Sequence, residues 1–389
     1  MSEGFSPAPN PASARRAEAV DDAERLDWLR LIRTPRIGPV TFHELLARFG
    51  TASHAIEALP DLARQARNPL HVPSRTDAER ELATAAKARA RILTLRDAAY
   101  PAHLRQTDAP PPVLSVLGDP ACLGKPAVAI VGARNASAAG TRMARQLAAE
   151  LGRAGFVVVS GLARGIDAAA HQGALESGTV AVLAGGLDKP YPSENIPLMR
   201  AIAASGGAVL SEMPWGWEPR AQDFPRRNRI VAGLSLGLLV VEAAIRSGSL
   251  ISARLANELG RLVFAVPGSP LDPRAAGANR LLKEGAVLVT ELADILDQLG
   301  TQLPAPAQRS FFSEALETPS LAPADRSADR STARTVEEAL SPVPTSVDEL
   351  VAHTGLSASE IRGALLELDL AGRLERHSGG AVSLLGVEA

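Results

Sequence analysis

Seven short apolar runs constrain this chain more than any other feature. They are Ala127–Val131, Val157–Ser160, Val180–Ala184, Ala208–Ser211, Leu236–Val241, Leu262–Val266 and Val287–Thr290. Amphipathic helical spacing fills most of the gaps between them. Continuous apolar runs that alternate with helices belong to a mostly parallel sheet covered on both faces. The expected fold class is therefore α/β: a Rossmann-like, doubly wound domain over residues 111–300. Right-handed crossovers place every strand-to-helix turn at the carboxyl edge of such a sheet, where open α/β sheets bind ligands.

The flanks read differently. Residues 1–22 form a polar tail rich in Pro and Ala, expected to be disordered. Over 23–110 the apolar spacing is helical, with Leu26, Leu29, Leu31 and Ile32 followed by Phe42, Leu45, Leu46 and Phe49. Arg36-Ile37-Gly38-Pro39 separates these runs. Such a glycine turn fits a helix-hairpin-helix, whose turn amides can hold a DNA phosphate, and it fits an ordinary helical hairpin equally well. Residues 301–335 are rich in Pro, Ser and charge and read as a linker. Over 336–389 the order helix, turn, helix, hairpin predicts a winged helix-turn-helix, with the hairpin strands around Gly379-Gly380.

Bulk properties exclude several classes. No long apolar stretch free of charge suits a transmembrane helix, and the first residues lack the apolar core of a signal peptide. Cys122 is the only cysteine, so neither a disulfide framework nor a cysteine-based zinc site can form within one chain. A cytoplasmic, membrane-free protein without metal or cofactor is expected. The net charge of −2 says nothing for nucleic acid by itself; only four of the 41 basic residues are lysine, so arginine carries the positive charge.

Glycines gather where the carboxyl edge should lie: Gly132–Ser137, Ser160–Gly165, Ala184–Gly186, Ser247–Ser249 and Pro267–Ser269. Glycine lets backbone amides approach an anion, and a following helix points its positive end there. The turns add Ser137, Gly161, Arg164 and Ser249 to the candidate contacts. The first turn is not a dinucleotide fingerprint, because Arg134 stands where the second glycine would admit a pyrophosphate, and no Walker-type sequence occurs. The stretch 213–229 joins Arg220, Arg226, Arg227 and Arg229 with Trp215, Trp217 and Phe224. Arginines for phosphate beside aromatic faces for bases are what single strands require, with stacking worth about 1–3 kcal/mol per base. The alternative is that the tryptophans belong to the core and the arginines cap a helix starting near Asn228.

The string Phe224-Pro225-Arg226-Arg227-Asn228-Arg229-Ile230-Val231-Ala232-Gly233-Leu234-Ser235 resembles a signature segment of the DprA family of DNA-processing proteins. Val131–Ser137, Ser160–His171, Val240–Ala243, Ser247–Leu250 and Val266–Gly268 resemble further family blocks in the same order. The resemblance implies a homodimer that binds single-stranded DNA and loads the recombinase RecA in natural transformation. It implies a strand-binding pocket lined by Arg134, Phe224, Arg226, Arg227, Asn228 and Arg229. One departure is that Ala221-Gln222-Asp223 precedes Phe224, where a basic residue is common.

No catalytic residue is expected. Asp167 and His171, four apart, read as a surface helix contact. Glu242, at the end of an apolar strand, is the better catalytic candidate, but the glycine turn that follows it lacks the order seen in Rossmann-like nucleotide hydrolases. Hydrolysis of a nucleotide or nucleoside monophosphate is the alternative function. Tyr191 reads as loop packing or as a further stacking surface. From Arg334 onward nine acidic residues face four basic ones, a net of −5, which suits protein contact or self-regulation better than duplex reading.

Overall fold

The computed structural model describes residues 21–62, 70–300 and 330–385. The expected tail, but for its last two residues, and the linker up to residue 329 lie outside them. Helices α1 (Asp22–Arg33), α2 (Pro39–Phe49), α3 (Ala52–Leu62) and α4 (Arg75–Lys87) come first. There follow β1 (Ala90–Thr94), α5 (Ala102–Arg105), β2 (Val113–Gly118), β3 (Ala127–Gly132), α6 (Ala138–Arg153), β4 (Val157–Ser160), α7 (Ile166–Gly173) and β5 (Thr179–Val182). The order continues with α8 (Ile196–Ala204), β6 (Ala208–Ser211), α9 (Asp223–Gly233), β7 (Gly237–Val241), α10 (Gly248–Glu258), β8 (Leu262–Ala265), α11 (Ala276–Lys283), β9 (Val287–Leu288) and α12 (Leu292–Leu299). Last come α13 (Arg330–Ala339), α14 (Val347–Thr354), α15 (Ala358–Leu370), β10 (Leu374–Arg376) and β11 (Val382–Leu384).

The described chain divides into two compact units: residues up to 25 with 81–292, and residues 26–80 with 293–389. In the first, a nine-stranded sheet runs β1-β2-β6-β5-β4-β3-β7-β8-β9. From β6 to β9 every pairing is parallel, while β1 and β2 close one edge antiparallel. The chain leaves β3 toward β4 on one side and returns to β7 on the other, so the topological switch lies at β3. Val128, Ile130, Val158, Val180, Leu210, Leu238 and Val240 are fully or almost fully buried, as a sheet covered on both faces requires.

All seven expected strands are present. Two more were not foreseen: β1 lies in the stretch read as helical, and β2 precedes the first apolar run. Residues 90–94 pair with 113–117 because Ile92, Leu93 and Thr94 are buried against the sheet while Arg91 faces water. Arg25 ties this edge down, donating to the Ile92 carbonyl at 2.7 Å and pairing with Asp97 at 3.1 Å.

The second unit joins the two ends of the chain. Trp28 meets Phe42 edge-on at 5.0 Å between α1 and α2. The winged helix has its own core of Val336, Leu350, Ile361, Leu365, Leu368, Leu374 and Val382, with capping boxes starting α14 and α15. Residues 330–335, read as linker, form the first turns of α13, whose Val336 is fully buried in that core. Polar contacts tie this module to the N-terminal hairpin. Arg36 donates to the Leu370 carbonyl at 2.9 Å, Thr41 Oγ1 donates to Asp369 at 2.9 Å, and Arg376 bridges Glu44 at 2.8 Å and Asp369 at 3.0 Å. No described helix is long and apolar enough to cross a membrane.

Candidate nucleic-acid interface

A cavity of about 330 Å³ opens over the carboxyl ends of β3, β4 and β5, lined by Arg134, Asn135, Gly161, Ala163, Arg164, Tyr191, Pro192, Phe224 and Arg227. Each β-strand delivers its residues through the turn that follows it, and α9 adds Phe224 and Arg227 from the side. The Arg134 guanidinium lies 5.3 Å from the centre of the Phe224 ring, and Tyr191 meets the same ring edge-on at 5.7 Å. Arg134 is exposed and Tyr191 is 52 % exposed, so a charge and a π-face are presented together to solvent. Arg164, also exposed, pairs with Glu194 at the rim.

Beneath the rim the wall is fixed. Arg227 is 5 % exposed; its Nη1 donates to the carbonyls of Gly161, at 2.5 Å, and Val182, and its Nε donates to Asn228 at 3.2 Å. Burial pulls its pKa down to about 10; the Asp167 carboxylate opposes that shift and the Arg134 charge adds to it. The guanidinium therefore stays charged at neutral pH. Gly161 is required here, since a Cβ would stand 2.5 Å from Arg227 Nη2. Asp167 accepts the amides of Gly161 at 3.1 Å and Ala163 at 3.3 Å, which holds the β4 turn in shape.

Asp167 and His171 do not form the expected surface contact. Both are buried and each has its own partner, because α7 turns this face toward the sheet. Thr179 Oγ1 donates to the Val158 carbonyl at 2.5 Å, so in its 2.9 Å contact with His171 it must accept from Nδ1–H. Burial, reinforced by the Arg227 charge, pushes the His171 pKa down to about 3, and burial pushes that of Asp167 up.

The other expected site residues lie elsewhere. Arg226 pairs with Glu212 at 3.1 Å; Arg229 pairs with the same carboxylate and donates to the Ala109 carbonyl at 2.9 Å. Glu212 follows β6 and is 8 % exposed, so these two arginines compensate a buried charge rather than line the cavity. Asn228 serves Arg227. Trp217 donates to Asp223 at 2.9 Å and carries Arg220 on its face at 4.7 Å, outside the cavity lining. Ser249 is buried in the cap of α10, its hydroxyl 2.6 Å from that of Ser247. Ser137 caps α6 through the Gly140 amide at 2.9 Å.

Glu242 closes the other half of the carboxyl edge. It accepts the Ser137 amide at 2.8 Å and the Ser137 hydroxyl, and it lies so near α6 that a Cβ on Gly140 would stand 2.5 Å from its carboxyl carbon. A protein carboxylate thus fills the anion position at the α6 N-terminus, at the switch between β3 and β7, where a nucleotide phosphate would otherwise bind.

The family model for DNA recombination-mediator protein A matches residues 91–300. This chain belongs to that family. A DprA-like N-terminal HHH domain matches 22–84 and a DprA winged helix domain matches 319–380. Protein Smf of Escherichia coli K12 is 40 % identical over 73 % of this chain and 75 % of its own length. Protein Smf of Synechocystis is 33 % identical over 92 % of this chain and 98 % of its own. Among solved structures, DNA processing protein A of Streptococcus pneumoniae superimposes with a TM-score of 0.59 at 33 % identity, covering 72 % of this chain and 98 % of that one. The Helicobacter pylori protein, whose structure is described as showing a single-stranded DNA binding mode, gives 0.50 at 32 % identity, covering 55 % and 97 %. HHH and winged-helix modules of this family therefore precede and follow the sheet in the sequence. Sequence reasoning missed Asn135, Ala163 and Pro192 as cavity residues; their only signal is their place within or after glycine turns.

Proposed function

We propose that the chain binds single-stranded DNA in the cavity over β3–β5, acts by binding rather than turnover, and works as a homodimer that loads RecA. The observation that carries the reading is Arg134 beside the Phe224 and Tyr191 rings, above an Arg227 held charged in the wall. A strand needs a cation for its phosphate and an aromatic face for its base, and both stand within one nucleotide's reach. The single-strand binding ascribed to the Helicobacter pylori relative supports the same ligand. Glu242, seated where a nucleotide phosphate would bind, speaks against the hydrolase alternative. For the dimer, β9 is an edge strand with Leu288 half exposed, and half-buried Leu281 and Leu282 lie just before it. Such an edge is stabilised by a second copy. RecA loading rests on the family resemblance.

A salt titration of oligonucleotide affinity tests the first claim: log affinity should fall steeply against log salt, by about 0.7 per phosphate contact. A flat titration, or turnover of nucleoside monophosphates, would favour the alternative. Light scattering should give twice the monomer mass, and RecA should assemble faster on strands that carry this protein.

A further inference from the structure

The winged helix sits on the N-terminal hairpin through contacts that occupy Arg36, Thr41 and Glu44. The stretch 33–48 carries Arg33, Arg36 and Arg48 against Glu44 alone, a net of +2. The module that covers it is strongly acidic. The charges meet at the contact: Asp369 accepts from Thr41 Oγ1 at 2.9 Å, at the start of α2, where the N-cap Gly38 brings no side chain. The Leu370 carbonyl takes the Arg36 guanidinium at 2.9 Å, and Glu367 lies within the field of Arg48. Two carboxylates and a carbonyl oxygen thus face the hydroxyl and guanidinium groups that a hairpin of this kind offers to a nucleic-acid backbone. Arg376 locks the arrangement by bridging Glu44 on α2 and Asp369 on α15.

We propose that residues 36–48 form a second nucleic-acid surface, for backbone phosphates, and that the winged helix is its built-in competitor, with Asp369 in the place of a phosphate. The proposal rests on reading the chain as a nucleic-acid binder, but it does not need the cavity over β3–β5. Displacing the wing exposes the surface, so the protein grips a backbone at two places only after the wing has moved. Charge decides the competition: a duplex brings a long row of phosphates, whereas at the contact the wing sets Asp369 and Glu367.

The test uses the full chain with the cavity disabled by Arg134→Glu and a short blunt duplex as probe, whose paired bases cannot stack in the cavity. Adding Arg376→Glu places a third carboxylate against Glu44 and Asp369 and should release the wing. Amide exchange over residues 38–42 should then speed up, and duplex affinity at low salt should rise by about tenfold, with a steeper salt slope by about 0.9 per new phosphate contact. Asp369→Asn, which keeps the shape, should move both readouts the same way by less. Arg36→Glu added to the released protein should abolish the gain. Faster exchange without a gain in duplex affinity overturns the proposal, as does unchanged exchange in both variants. Failure of single-strand binding in the unmodified protein would sink the cavity reading and leave this one standing.

Discussion

The two halves of the sheet's carboxyl edge are built from the same parts and end in opposite states. On both, an apolar strand runs into a turn and a helix begins. Over β3–β5 the turns carry Arg134 and Arg164, α9 adds the buried Arg227, and the edge opens into a cavity. Between β3 and β7 the group is Glu242, which accepts both the amide and the hydroxyl of Ser137, the N-cap of α6. A helix N-terminus is an anion site only while the protein leaves it open. The side chains there are cationic where the edge is open and anionic where it is filled.

Four changes would break or sharpen that contrast. Arg227→Ala should have the largest effect, since it leaves two buried carbonyls and Asp167 without their cation; it should cost about 3–5 kcal/mol of stability. A urea midpoint like the parent's would show that the cavity wall does not depend on it. Arg134→Glu should leave stability unchanged and weaken single-strand binding by about 1.5–3 kcal/mol, roughly ten- to a hundredfold, while flattening the salt slope. Unchanged affinity in this folded variant would remove the cavity from consideration.

The buried imidazole gives a pH signature. His171 titrates near 3 when folded against about 6.5 when unfolded, so the unfolded chain binds the extra proton between those values. Its contribution is intact above the unfolded value and is lost as pH falls through that window, by at most about 1.4 kcal/mol per pH unit. His171→Gln should flatten the stability profile there; parallel profiles would mean the imidazole is solvated. Glu242→Gln should act least. An amide offers one acceptor to two Ser137 donors, so α6 should lose about 1 kcal/mol, read by thermal melting, with strand affinity unchanged. A gain or loss of strand binding would tie the two halves together.

Parallel strands were legible because burial on both faces leaves runs such as Val157-Val158-Val159 with no charge. β1 was not, because Ala90-Arg91-Ile92-Leu93 follows a helical stretch and its pairing partner lies beyond a loop. The cavity was legible where chemistry and local turn coincide, at Arg134, Gly161, Arg164, Phe224 and Arg227. It was misjudged at Arg226 and Arg229, since their partner Glu212 comes from another strand end and charge alone does not name a partner. Asp167 and His171 failed for a similar reason. Helical spacing shows which residues share a face, but not whether that face meets water or the sheet.

The seam between β2 and β6 also sets the order in which the molecule can be built. Residues 115–118 find their partners only at 208–211, after the three intervening strands β3, β4 and β5 exist. The β1–β2 hairpin must therefore wait on the ribosome with one edge bare. The N-terminal hairpin waits longer, because residues 36–44 meet their polar partners at 369–376. Distant pairings of this kind are slow to close and leave sticky surface exposed meanwhile. An acidic partner that is synthesised more than 300 residues later leaves a basic helical hairpin uncovered through the intervening synthesis.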